Sequence, residues 1–146
     1  MHEMKPGAAL KALLDTSKIG LLATSDTDGQ PHTRWVTAAM LPGQDRLLYC
    51  VTMAGTNKAK DIGANDRVAW SFQSPRLDTI ISVTGRARLL DLPELKAQVL
   101  EALGRDLTIF WRINTSPKNL VVIESTIDDI RLYRPMQSAE HELRLP

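Results

Sequence analysis

One thiol, that of Cys50, is all the cysteine this 146-residue chain holds. A disulfide within the chain is therefore impossible, and nothing in the cysteine usage points to an oxidising compartment. Cys50 lies in the apolar run LLYCVT, where a free cysteine reads as a small buried hydrophobe rather than a nucleophile. Long hydrophobic runs are missing as well. No stretch approaches the ~20 apolar residues that cross a bilayer. The opening residues, MHEMKPGAALKALL, have neither a long apolar segment nor a clear cleavage site, so no secretory signal is read. The expected location is cytoplasmic, with no membrane partner. Charge of one sign is not in excess either: 18 Lys and Arg against 17 Asp and Glu give a net charge of +1. A dedicated nucleic-acid binder shows a clear basic surplus, so no nucleic-acid partner is expected. His2, His32 and His141 show no metal-ligand spacing, and neither a nucleophile triad nor a paired-carboxylate signature is found, so no metal is expected. A small anionic ligand is still allowed, because it needs only two or three local cations.

What is present fits one globular domain over residues 1–146, with 1–7 and 136–146 as loose tails. Leu10, Leu13 and Leu14 fall at i, i+3 and i+4, predicting a helix over Ala8 to Thr16. Ile19 to Thr24 reads as a buried strand, and Asp28-Gly29 suits a hairpin turn. Pro31 then opens a strand through Leu41 that alternates His32, Arg34 and Val36 on one face with Thr33, Trp35 and Thr37 on the other. Both faces are partly apolar, so cover on both sides is expected. Arg46 to Thr52 is a third strand. Met53-Ala54-Gly55 breaks it, and Thr56 is the N-cap expected for a short helix, Lys58 to Ala64. Strands follow over Arg67 to Gln73 and Asp78 to Leu90, the second with Gly85 marking a bulge or close approach. Asp91 and Glu94 predict a capping box at the head of a helix buried through Leu95, Val99, Ala102 and Leu103 and stopped by Gly104. Asp106 to Arg112 is ambiguous. Leu120 to Ser125 and Ile130 to Arg134 read as two last strands separated by Asp128-Asp129. Six or seven strands with short connections, and no helix between the first three, predict a mainly β fold with short helices: an antiparallel split or closed barrel.

Two cations stand out chemically. Arg34 sits in a strand, where its charge must meet solvent or a partner. Lys58 sits at a helix start beside the Thr56 hydroxyl. An arginine fork, a lysine point charge, a hydroxyl and the free N–H groups of a helix N-terminus suit a phosphate monoester. Residue type alone does not bring them together. The alternative is a solvated Lys58 and an Arg34 paired with an acid such as Asp61 or Asp66.

The ordered set LATSDTDGQPHTRWV, LLYCVT, TNKAKDI, NDRVAWSF, ISVTGRARLLD and SPKNLVVIE resembles the pyridoxamine 5'-phosphate oxidase-like FMN-binding split barrels, in particular the small general stress proteins. The resemblance runs from about Leu14 to Arg134. It implies FMN in a groove between the two barrels of a homodimer, its phosphate held by Arg34 and by Thr56, Asn57 and Lys58. Asn57 stands where family members often have Arg. The resemblance also implies that Trp35, Val36, Thr37, Val51 and Thr52 line the isoalloxazine, largely through backbone groups, and that Trp111 reaches the flavin of the partner subunit or serves as a core or dimer aromatic. Trp70 reads as core. The arginine–histidine segment by which the oxidase itself grips its substrate has no equivalent, so oxidation of pyridoxamine phosphate is not expected. The expectation is therefore an FMN-dependent oxidoreductase with a small-molecule redox partner. The rivals are a non-catalytic flavin carrier or stress sensor, a relative taking deazaflavin or haem in the same groove, and a cofactor-free barrel working through protein contacts.

Overall fold

The computed structural model describes residues 5–104, 119–135 and 139–146. Helix α1 (Pro6–Thr16) is followed by β1 (Ile19–Ser25), β2 (Pro31–Thr37) and β3 (Leu47–Met53). Then come α2 (Asn57–Ala64), β4 (Arg67–Gln73), β5 (Ile80–Leu90), α3 (Pro93–Leu103), β6 (Leu120–Arg134) and β7 (Ala139–Arg144). The sheet runs β2-β1-β4-β5-β6-β3, with β7 added along β6, and all its pairings are antiparallel. Its two ends, β2 and β3, are joined by an isolated bridge between Ala39 and Tyr49, made after β2 has ended. The barrel is therefore split between these strands.

Alternation in the sequence becomes two faces. Along β1, Leu22 and Thr24 turn inward; along β4, Val68, Trp70 and Phe72 do. Of these, Leu22, Val68, Trp70 and Phe72 meet Leu10, Leu13 and Leu14 of α1 and Ile62 of α2 in the main core. Trp70 is core, as expected: it stacks on Phe72 with ring centroids 5.6 Å apart and donates from Nε1 to the Ser125 hydroxyl. A second core forms where α3 lays Val99 and Leu103 over Tyr49, Val51 and Val122. The β3–β6 pair is thus covered on both sides, which is why β3 is apolar in consecutive positions rather than in alternate ones.

Five local expectations are corrected. The second strand ends at Thr37 rather than Leu41: Ala38 still donates its N–H to the Lys18 carbonyl opposite it, and then the chain leaves β1, with Ala39 bridging to Tyr49 of β3. It also forms an end of the sheet, with Trp35 60% exposed, so it is not covered on both faces. Helix α3 is capped by Leu92 with Pro93 in its first turn, and Asp91 pairs with Lys96 instead of forming a capping box. Leu120 to Arg134 is one continuous strand, since Asp128 and Asp129 sit at a bulge opposite Thr84 and Gly85 rather than in a turn. The supposed tails carry structure: Pro6 and Gly7 open α1, and Ala139–Arg144 pairs with β6 as β7.

Candidate functional site

Arg34 is on the inner face of β2, opposite Leu22 of β1. Its Nη1 donates to the Thr24 hydroxyl at 2.7 Å and to the carbonyls of Leu22 and His32, each at 3.2 Å. Thr24 in turn donates to Oδ2 of Asp61 at 2.7 Å, and Arg34 Nη2 faces the same oxygen at 3.8 Å. Asp61 projects from α2 and is buried. The ion pair anticipated as the alternative for Arg34 is therefore formed, with Thr24 as its intermediary. Burial lowers the Arg34 pKa, and the Asp61 charge partly restores it.

Lys58 belongs to the same neighbourhood. Gly55, at φ 86°, permits the turn that sends the chain from β3 into α2. Thr56 caps the helix, its hydroxyl accepting from the Ala59 N–H at 3.4 Å and sharing a hydrogen bond with the Thr52 hydroxyl at 2.9 Å. When Thr52 is the donor in that bond, the Thr56 proton is free for a ligand. Lys58 is half-buried, with no ion-pair or hydrogen-bond partner among the described residues. Burial pushes its pKa below the usual lysine value, and the charge of Arg34 adds to this shift. The two cations thus feel one another. Cys50 of β3 is fully buried, and burial drives its thiol pKa up to about 12. A buried, protonated thiol is a poor nucleophile.

The remaining expected residues divide by face. Thr52 joins Thr56, and Val36 packs against the main core. Trp35 and Thr37 alternate with Arg34 and so leave from the opposite face, while Val51 packs into the second core under α3. Their side chains do not meet the cradle; only backbone groups can. Asn57 is exposed at the first position of α2. Trp111 lies outside the described residues. Sequence reasoning missed Thr24. The available signal was its place on the inward face of a buried strand, two residues from Leu22, where a hydroxyl requires a partner.

Two cations against one buried carboxylate leave the cluster one positive charge in surplus. The first N–H groups of α2 have no acceptor within the helix and add to this surplus. Such a donor set is chemically suited to a phosphomonoester.

An antiparallel split barrel with a cationic cradle where β2 meets the head of α2 is a definable class of protein. The family model for pyridoxamine 5'-phosphate oxidase matches residues 7–134, and the chain belongs to that family. Pyridoxine/pyridoxamine 5'-phosphate oxidase of Edwardsiella ictaluri is 36% identical over 74 residues, a match covering 51% of this chain and 33% of that enzyme. The chain thus spans about a third of that curated relative's length. General stress protein 26 of Bacillus anthracis superposes with a TM-score of 0.71 at 24% identity, covering 93% of this chain and 98% of that one. A heme binding protein from Mycobacterium smegmatis superposes with a TM-score of 0.76 at 15% identity, covering 99% of this chain and 60% of that one. At these identities the structural likenesses speak for the fold. Among the described residues, no helix is long and apolar enough to cross a membrane.

Proposed function

We propose that this protein binds FMN through its phosphate, in a groove shared by two copies of the chain, and serves as a flavin-dependent oxidoreductase on a small substrate. The observation that carries the reading is Lys58: a half-buried ammonium beside a second cation, with no acid paired to it among the described residues. An unpaired, partly desolvated charge is unfavourable. A phosphate dianion would relieve it.

In this reading Arg34 binds phosphate through the guanidinium edge left over by Thr24 and the two carbonyls. Lys58 supplies a point charge, and Thr56 a hydroxyl proton. The backbone of Trp35, Val36, Thr37, Val51 and Thr52 orients the ring system. By the family resemblance, Trp111 is the candidate aromatic to pack near the flavin from the partner subunit. Bound FMN supplies the redox centre, while the chain's own residues bind, orient and exclude water. No side chain is assigned as general acid or base. Support for the shared groove comes from the sheet end at β2: Trp35 and Ile19 stand 60% and 56% exposed on adjacent strands, flanking Leu21. An apolar sheet end of this kind needs a cover. Soluble, cytoplasmic residence goes with the same reading.

The test begins with the spectrum of the purified protein, which is expected to show flavin bands; a Soret band would indicate haem instead. Titration of FMN into Lys58→Ala should show affinity weaker by about 1.5–3 kcal/mol, the range for hydrogen bonds to charged groups. Undiminished affinity in that variant would remove the cradle. Reduction by a nicotinamide nucleotide and turnover with an acceptor would separate the enzyme from a non-catalytic carrier.

A further inference from the structure

We infer that Asp61 is the positioning residue of the cradle: through Thr24, it holds the Arg34 guanidinium in the orientation a phosphomonoester takes up. This deepens the proposed function and rests on it. A carboxylate near a phosphate site is at first sight an obstacle, because it repels the ligand and neutralises one of two cations. Its surroundings argue for another role. Asp61 is 7% exposed, and Oδ2 is met at 2.7 Å by the Thr24 hydroxyl. That hydroxyl is committed on both sides, donating to Asp61 and accepting from Arg34 Nη1 at 2.7 Å.

The carbonyls of Leu22 and His32 complete the hold on Nη1. Nη2 faces Asp61 at 3.8 Å, beyond hydrogen-bonding distance, and is retained by charge alone. One nitrogen of the fork is therefore locked, and the other is drawn to one side with hydrogens to spare. A guanidinium fixed by one nitrogen presents its remaining edge without further loss of rotamer freedom, which is the benefit of preorganisation. Asp61 also lies three residues after Lys58 on α2, so the helix that carries the second cation carries the acid that aims the first. The element thus sets both charges with one rigid body. The ligand class that follows is a phosphomonoester such as the FMN tail. Riboflavin has no phosphate and takes no advantage of the arrangement.

The sign of one measurement separates positioning from simple electrostatics. Asp61→Asn makes the cradle more positive by one charge. Were Asp61 only a neighbouring charge, FMN would bind this variant more tightly. Positioning predicts the opposite: FMN binding at least tenfold weaker, with riboflavin binding changed by less than twofold. Thr24→Val keeps the Asp61 charge, breaks the relay and is expected to show the same loss; Thr24→Ser keeps the hydroxyl and should restore binding. Tighter or unchanged FMN binding in Asp61→Asn would overturn the inference, as would full affinity in Thr24→Val. A second readout needs no flavin. In a thermal-unfolding cycle of Arg34→Met and Asp61→Asn, the double variant should lose clearly less Tm than the sum of the two single losses. Additive losses would overturn the assignment whatever FMN does. A wild-type chain that binds no FMN but shows this coupling would defeat the flavin reading and leave the Asp61–Arg34 hold standing.

Discussion

Lys58 is where the proposed phosphate binding and stability pull apart. Burial and the Arg34 charge both depress its pKa in the folded chain. A lysine whose folded pKa lies below its unfolded value disfavours folding while both states are protonated, and this penalty fades as pH rises from the folded pKa towards the unfolded one. Lys58→Met removes the charge and keeps the apolar stem. The flavin-free variant should therefore melt at a higher temperature than the wild type near neutral pH, with the gap narrowing as pH approaches the ordinary lysine range. The same variant should bind FMN more weakly. Melting curves across pH, with and without FMN, check both halves; a lower Tm at neutral pH would mean that the stem, not the charge, dominates at this position. Conflict of this kind between stability and function is expected at a binding site. Arg34 gives no such clean answer, since its removal also strips Thr24 and Asp61 of a partner. The sequence made Arg34, Thr56 and Lys58 conspicuous because each is odd locally: a charge inside a strand, a cap, a cation at a helix head. Asp61 was named from the sequence as one possible acid for Arg34, but Thr24 and its place between the two were not legible in this way. They exist only once β1, β2 and α2 have packed together, and no spacing within one element encodes that.

Elements whose signals lie within their own few residues were legible. The α1 stripe of Leu10, Leu13 and Leu14, the Thr56 cap and the inward row of Val68, Trp70 and Phe72 are all of that kind. Signals that two elements share were harder to read. Asp128-Asp129 looked like a turn, yet in the sheet Gly85 is paired with Ile127 and Thr84 with Asp129, so the extra residue is absorbed as a bulge. Asp128 then receives Arg86 on both carboxylate oxygens at 3.2 Å. Gly85 makes this possible, because a Cβ there would collide with the backbone carbonyl of Thr126. A backbone neighbour cannot swing aside as a side chain does. Gly85→Ala should thus destabilise the chain by about 1–3 kcal/mol, as overpacking does. Gly63 is the control: it sits within α2, and a Cβ there would meet nothing within 4 Å. Gly63→Ala should stabilise by about 0.5–1 kcal/mol through helix propensity. Denaturant melts of the two variants give opposite shifts of midpoint if the bulge is responsible, and equal shifts if it is not.

At the scale of the molecule, the sheet order leaves β2 at one end, joined to β3 only by the bridge after it. The side chains of Trp35, Ile19 and Leu21 gather on the outer face there, while Arg34 turns inward to the cradle. One strand thus offers an apolar surface on one side and a charged site on the other; in the proposed dimer, a second copy of the chain seated near it would contribute to the groove. In that arrangement cofactor binding and dimerisation are thermodynamically linked: FMN that contacts both copies must favour the dimer, and the dimer must favour FMN, by the same factor. Free FMN at a hundred times its dissociation constant contributes about 2.7 kcal/mol to whichever state binds it, enough to move a dimer midpoint measurably on dilution. Sedimentation of the flavin-free protein over a dilution series should show dissociation at higher protein concentration than in saturating FMN. Trp35→Asp, which places a charge on the outer face without touching Arg34, should weaken both the dimer and FMN affinity. A variant monomeric at all concentrations that still bound FMN with wild-type affinity would place the whole site within a single chain.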